Sequence, residues 1–151
     1  MAAGTASRFA PLSYEKPKGL LEVKGEVLIE RQIRQLKEAG VEDITIVVGY
    51  KADMFRYLVE KYGVSLVVNE DYDRYNNISS LIRVADRLGD TFICCSDNYF
   101  PENVFAHMPQ SSFYSALYAE GETGEYGLDI NEQDEITGVT VGGADSWYMV
   151  G

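Results

Sequence analysis

Histidine is nearly absent, cysteine is scarce and positive charge is in short supply. One His, two Cys and 13 Lys plus Arg stand against 24 Asp plus Glu, for a formal net charge of −11 over 151 residues. The cysteines, Cys94 and Cys95, are neighbours in the run Phe92-Ile93-Cys94-Cys95. Adjacent strand residues point to opposite faces, so they do not bridge each other, and their spacing matches no metal-ligand pattern. Read as buried free thiols, they point to a reducing cytoplasm. The single histidine, His107, lies in Phe105-Ala106-His107-Met108-Pro109 with no nucleophile pattern near it, so its expected role is structural. Neither a Ser-His-Asp nor a Cys-His mechanism has a supporting constellation. No basic stripe runs along any segment, which disfavours nucleic acid and anionic membranes as partners. The longest apolar stretches are strand-length, and no signal peptide or membrane span is visible. Internal repeats and low-complexity segments are also missing.

What is present is enough apolar content, 46% of residues, for one domain around a single core. Leu28, Ile29, Ile33, Leu36 and Ala39 recur at helical spacing, and Gly40 follows as a C-terminal cap. Ile44-Thr45-Ile46-Val47-Val48 is a β-branched run with the profile of a strand buried on both faces. A second helical pattern covers Asp53 to Tyr62, and Val64 to Val68 is again a strand. Asn69 to Ile78 is polar and turn-rich; Ser79-Ser80 then predicts the cap of a helix reaching Leu88, and Thr91 to Cys95 another strand. Strands alternating with helices predict right-handed crossovers, hence a doubly wound α/β domain with a mostly parallel sheet. After Pro109 the pattern shortens to strand-like pieces, Phe113 to Ala119, Tyr126 to Ile130 and Ile136 to Val141, joined by turns at Glu120 to Glu125 and Asn131 to Glu135.

The scarce positive charge is concentrated early. Ala2-Ala3-Gly4-Thr5-Ala6-Ser7-Arg8-Phe9 is followed by Pro11-Leu12-Ser13 and by Lys16-Pro17-Lys18-Gly19-Leu20-Leu21. Small residues let backbone N–H groups approach an anion closely, and Arg8, Lys16 and Lys18 add three cations within short reach. The segment lacks the G-K-[ST] end of a Walker loop and the G-x-G-x-x-G of a dinucleotide fingerprint. Its order and spacing resemble the signature of the nucleotidyltransferase (nucleoside-diphosphate-sugar pyrophosphorylase) superfamily, A-A-G-x-G-x-R-[LF]-x-P-L-[ST] and then P-K-x-L-L. One glycine of that signature is replaced, at Ala6.

This resemblance implies a Rossmann-like nucleotidyltransferase fold with a triphosphate at the loop. The backbone of Ala2, Ala3 and Gly4 is then expected at the nucleotide, with Gly49 and Tyr50 after the next strand. Arg8 would hold the β- and γ-phosphates of the departing pyrophosphate, and Lys18 the phosphate region where bonds exchange. Asp97, in Ser96-Asp97-Asn98-Tyr99-Phe100, follows an apolar run. Such an aspartate either caps the next turn or holds a cation, and the resemblance implies the second role, with Mg²⁺. A second metal carboxylate is expected beyond residue 151. The loop in this superfamily follows a buried strand, whereas only Met1 precedes it here, and the chain stops on the apolar run Trp147 to Val150. A segment of a longer polypeptide, truncated at both ends, is therefore expected. Residues 1–108 would form its nucleotide-binding part and 109–151 its acceptor side, with a fused domain or a homo-oligomer open.

The motif from Asn69 through Tyr72, Asn76-Asn77 and Ser80-Leu81 resembles the N-x-x-Y…N-N-x-x-S-L stretch of the choline-phosphate cytidylyltransferase branch. That implies CTP as donor and a small phosphorylated acceptor, phosphocholine or an aminoalkyl phosphonate. Asn77 and Ser80 are candidates to read a pyrimidine edge or hold the ribose, with helix capping by Ser79 or Asn77 the competing expectation. A choline headgroup calls for aromatic faces, and Trp147 leads a set with Tyr148, Tyr114 and Tyr118; packing in the core is the competing expectation for Trp147. Two other readings stand beside this one, a sugar-1-phosphate nucleotidyltransferase and a non-catalytic nucleotide-sensing module on the same fold.

Overall fold

A computed structural model describes residues 1–106 and 111–150, which divide into two units between residues 108 and 109. His107 lies outside the described residues.

In the first unit Met1 and Ala2 run extended between two segments. Ala2 N donates to Val47 O at 2.8 Å and pairs in parallel with Val48. On the other side the Met1 amino group donates to Cys94 O, and Ser96 N donates to Met1 O at 3.0 Å. Helix α1 (Leu12–Glu15) and a short hairpin, β1 (Glu22–Val23) and β2 (Glu26–Val27), lead into α2 (Leu28–Glu38). The hairpin turns on Lys24 and Gly25, both at positive φ. Gly40, at φ +86°, ends α2 as expected: its N–H and that of Val41 return to Lys37 O and Leu36 O, taking carbonyls the helix leaves unpaired.

Strand β3 (Thr45–Val48) pairs in parallel with β4 (Ser65–Val68), Thr45 opposite Ser65. The crossover between them is a tight 3₁₀ turn, Ala52–Phe55, and then α3 (Tyr57–Tyr62), in place of one helix over Asp53 to Tyr62. Bonds from Ala52, Met54 and Arg56 to carbonyls three residues earlier tighten its first turn. Ile29, Ile33 and Leu36 of α2 join Ile46, Val48, Phe55, Leu58 and Phe105 in the core.

Two further elements of the first unit depart from expectation. The helix expected from Ser79 to Leu88 is α4 (Asn77–Ile82) followed by a 3₁₀ turn at Ala85–Arg87. Its cap is Asn76, whose side chain accepts from Ile78 N, and Ser79 and Ser80 are turned inward. Thr91 to Cys95 forms no repeating ladder: its neighbour on one side is Met1, and two bonds to one residue do not make a strand pair.

Glu30 ties α2 to α3. Buried at 8% exposure, it accepts from Tyr57 Oη at 2.8 Å, Lys61 Nζ at 2.7 Å and Tyr62 Oη at 2.7 Å. Burial alone raises a carboxyl, but the bonds from Lys61, Tyr62 and Tyr57 and the Lys61 charge outweigh it, so Glu30 lies below its ordinary 4.5. A depressed folded-state value stabilises above the unfolded value, and that contribution is lost as pH falls through the folded one. Glu30→Gln is expected to lose about 1–3 kcal/mol near neutral pH and to flatten the acid limb of stability. Urea unfolding across the acid range measures both. An unchanged acid limb in the variant would exclude Glu30 as its source.

The second unit is an antiparallel hairpin, β5 (Ala116–Ile130) and β6 (Ile136–Met149), closed at Asn131 to Glu135 as expected. Glu120 to Glu125, expected as a turn, lies inside β5. Shifts of register absorb it, with positive φ at Gly121 and, across the pair, at Gly142, Gly143 and Asp145. Trp147 is 41% exposed and packs edge-on against Tyr118 at 5.7 Å, so its expected place in a core is not realised.

Candidate functional site

The small-residue loop leaves the sheet at Ala3 and wraps the mouth of a polar cleft. Ala3 O accepts from Tyr50 N at 2.9 Å, which anchors the loop's first residue to the end of β3. Ala6, where the resembling signature has glycine, sits at φ +51° in the left-handed region, the conformation that favours glycine. The loop backbone therefore keeps a glycine-like geometry although a methyl group occupies the position. Lys51 secures the distal arm through bonds from Nζ to Tyr14 O and Glu15 O.

The cleft has a volume of about 260 Å³. The loop from Ala3 to Arg8, together with Lys18, forms one wall; Asn69, Tyr72 and the Tyr75–Asn77 turn with Ser80 form the other. Of the expected nucleotide residues, Ala3, Gly4, Asn77 and Ser80 line it, as do Arg8 and Lys18. Ala2, Gly49, Tyr50, Asp97 and Lys16 are not part of the lining. Ala2 is buried in the strand pairing. Gly49 is needed for closeness: a Cβ there would lie 2.6 Å from Tyr72 Cβ and 2.8 Å from Ala3 O, so any side chain would push both walls apart.

Asn69, Tyr72, Tyr75 and Asn76 also line the cleft; all four fall within the stretch from Asn69 to Leu81, in which only Asn77 and Ser80 are expected at the nucleotide. Asn69 is 1% exposed, and its Nδ2 donates to Ser79 Oγ at 2.9 Å and Ser80 Oγ at 3.1 Å, while its Oδ1 accepts from Asp71 N. One buried amide thus fixes the end of β4, the turn after it and the first turn of α4. Ser80 Oγ is the acceptor in its bond with Asn69, so that bond does not engage the hydroxyl proton.

Asp97 lies beside the cleft, its Oδ2 3.3 Å from Lys18 Nζ, and both side chains are about one-third exposed. Lys18 also lies 5.5 Å from the centre of the Phe9 ring. Among the described residues no three His, Cys, Asp or Glu converge. One partly exposed carboxylate beside the loop and Lys18 still fits a hard divalent cation, because Mg²⁺ takes one or two carboxylates and completes its shell with water and phosphate oxygens. Cys94 and Cys95 are free and half-buried, less enclosed than expected; burial pushes both thiols up, which keeps them protonated and poor nucleophiles. No helix among the described residues is long and apolar enough to cross a membrane.

Residues 1–125 match the family described as the MobA-like NTP transferase domain. The chain is 43% identical over 140 residues to a choline-phosphate cytidylyltransferase of Streptococcus pneumoniae, covering 90% of this chain and 61% of the relative. It is 42% identical over 155 residues to a 2-aminoethylphosphonate cytidylyltransferase of Lancefieldella rimae, covering all of this chain and 63% of the relative. Among solved structures, the CTP:phosphocholine cytidylyltransferase of S. pneumoniae superposes with a TM-score of 0.93 at 38% identity, over 98% of this chain and 65% of that one. The chain thus spans about three-fifths of the length of the curated relatives it matches.

Proposed function

The chain belongs to the MobA-like NTP transferase family and has its α/β nucleotidyltransferase fold, and from that premise we propose that it serves a cytidylyltransferase: CMP passes from CTP to phosphocholine, releasing pyrophosphate. The observation that carries this is the cleft, where a phosphate-sized loop with Arg8 and Lys18 faces a wall of amides and hydroxyls suited to a base and ribose.

In the reaction an oxygen of the acceptor phosphate bonds to the α-phosphorus of CTP. The bond from that phosphorus to the bridging oxygen of the β-phosphate breaks, and pyrophosphate departs with the electron pair. Transfers of this kind need in-line positioning and neutralised equatorial charge more than covalent help from the protein. The N–H groups of the Ala3–Ser7 loop and the Arg8 guanidinium hold the β- and γ-phosphates, and Lys18 balances charge at the reacting phosphate. Asp97 would hold the divalent cation, Mg²⁺ in this proposal, which would supply neutralisation of phosphate charge. Asn77 and Ser80 take the pyrimidine edge or the ribose.

The second unit, on this reading, serves the acceptor. Its exposed Tyr118–Trp147 pair offers ring faces to a cationic amine, with Tyr148 and Tyr114 as further candidates. The 2-aminoethylphosphonate relative favours a second acceptor class, the aminoalkyl phosphonates, which also present an amine. The free thiols suit the cytoplasm.

A pyrophosphate-release screen of the intact protein, crossing four nucleoside triphosphates with phosphocholine, 2-aminoethylphosphonate and sugar 1-phosphates, tests this. CTP is expected to exceed UTP and dTTP by about 10- to 100-fold, the effect of leaving a buried amide or hydroxyl unpaired at the base. Equal use of all three nucleotides, or turnover of sugar 1-phosphates alone, would overturn the assignment.

A further inference from the structure

Cys95 to Glu102, the segment that carries Asp97, has no ladder or helix of its own to occupy its carbonyl groups. Helix α2 supplies the partners. Gln32 Nε2 donates to Cys95 O at 3.0 Å, two residues before Asp97. Arg31 donates through Nε to Phe100 O at 2.9 Å and through Nη2 to Pro101 O at 2.7 Å. Gln35 Nε2 is shared between Phe100 O and Glu102 O, at 3.1 and 3.0 Å. Gln32 and Gln35 are 5% and 6% exposed, so two amides are buried on the core-facing side of a helix with their donors directed at main chain.

From the other side, Gly19 packs so closely that a Cβ there would lie 2.7 Å from Ser96 Oγ. This contact sets the backbone next to Lys18 against the residue next to Asp97. The backbone around Asp97 therefore lies between two supports, the Lys18-Gly19 turn and the side chains of α2.

We propose that Gln32, assisted by Arg31, is a positioning residue for Asp97: it fixes the peptide leading into Asp97 so that the carboxylate stays beside Lys18 and open to a divalent cation. The inference rests on the reading of Asp97 as the cation-binding carboxylate. Gln32 touches neither substrate nor cation in this role, and Asp97 is the group through which it acts.

Gln32→Met conserves volume and removes the donor. In the intact protein with CTP bound, Mn²⁺ affinity measured by water-proton relaxation is expected to fall about tenfold, the usual scale for removing a support behind a metal ligand. kcat should fall by a similar factor, and KM for CTP should stay within about twofold. In an Asp97→Asn background, Gln32→Met should bring no further loss of either quantity, because its route is already cut. Arg31→Lys, which keeps the charge and loses the planar fork, should show the same pattern more weakly and serves if Gln32→Met does not fold. Equal losses in both backgrounds, or a lower melting temperature with unchanged Mn²⁺ affinity, would overturn the positioning role. Should Asp97→Asn itself leave Mn²⁺ binding intact, the reading of Asp97 falls; a loss in Asp97→Asn with none in Gln32→Met or Arg31→Lys overturns only the positioning role.

Discussion

Replacing Asp97 by Asn is expected to lower kcat by about a thousandfold or more, since a carboxylate-held cation contributes several kcal/mol of charge stabilisation and each 1.4 kcal/mol is about tenfold in rate. The change keeps the shape of the side chain, so the fold should persist. Its ion pair with Lys18 is about one-third exposed on both sides, and pairs of that kind contribute roughly 0–1 kcal/mol to stability. A loss of turnover that large could not come from unfolding. Rates measured across a Mg²⁺ series, with a melting curve for each variant, separate the two effects. Near-normal Mg²⁺-dependent turnover in Asp97→Asn would remove the residue from the reaction.

Lys18→Ala should lower kcat by about 10²–10³, comparable to removing one fixed donor from a site where charge develops. KM for CTP should change by much less, because a cation at the reacting phosphate is worth more as charge builds than in the ground state. The structure makes this a clean experiment. Lys18 reaches the cleft from a 3₁₀ turn whose packing depends on Gly19 and Leu20, both buried, while its own side chain is partly exposed. Truncation thus removes charge without opening the core. An increase in KM with unchanged kcat would show that Lys18 binds the triphosphate equally before and during reaction, and Arg8 would then carry the larger share of charge stabilisation.

The loop motif was legible because its chemistry is local. Close approach of backbone to an anion needs small residues in a row, and Gly4 with its neighbours displays that whatever the rest of the fold does. The helix at Leu28 and the strand at Thr45 were legible for a similar reason, as each carries an uninterrupted period. Local signals misled where a tertiary contact competed with them. Ser79 and Ser80 look like helix caps, yet Asn69, ten residues earlier, takes both hydroxyls, and the cap passes to Asn76. Ile82, Ala85 and Leu88 extend a helical stripe on paper, but the helix ends at Ile82, which is 67% exposed. Glu120 to Glu125 reads as a turn by composition, while bulges let β5 run through it.

The sequence by itself determined the small-residue, cation-bearing loop and the α/β architecture, since both rest on residue types and spacings that act over a few neighbours. Tertiary structure alone decided which residues share the cleft. Gly49 proved to be a point of contact between Ala3 and Tyr72, outside the lining. Asp97 came to Lys18 across 79 positions of chain, and the Gln32 amide came to the Cys95 carbonyl across 63. Separations of that size are set by how α2 and the sheet pack, because a hydrogen bond reaches about 3 Å and cannot be specified by any pattern confined to one segment.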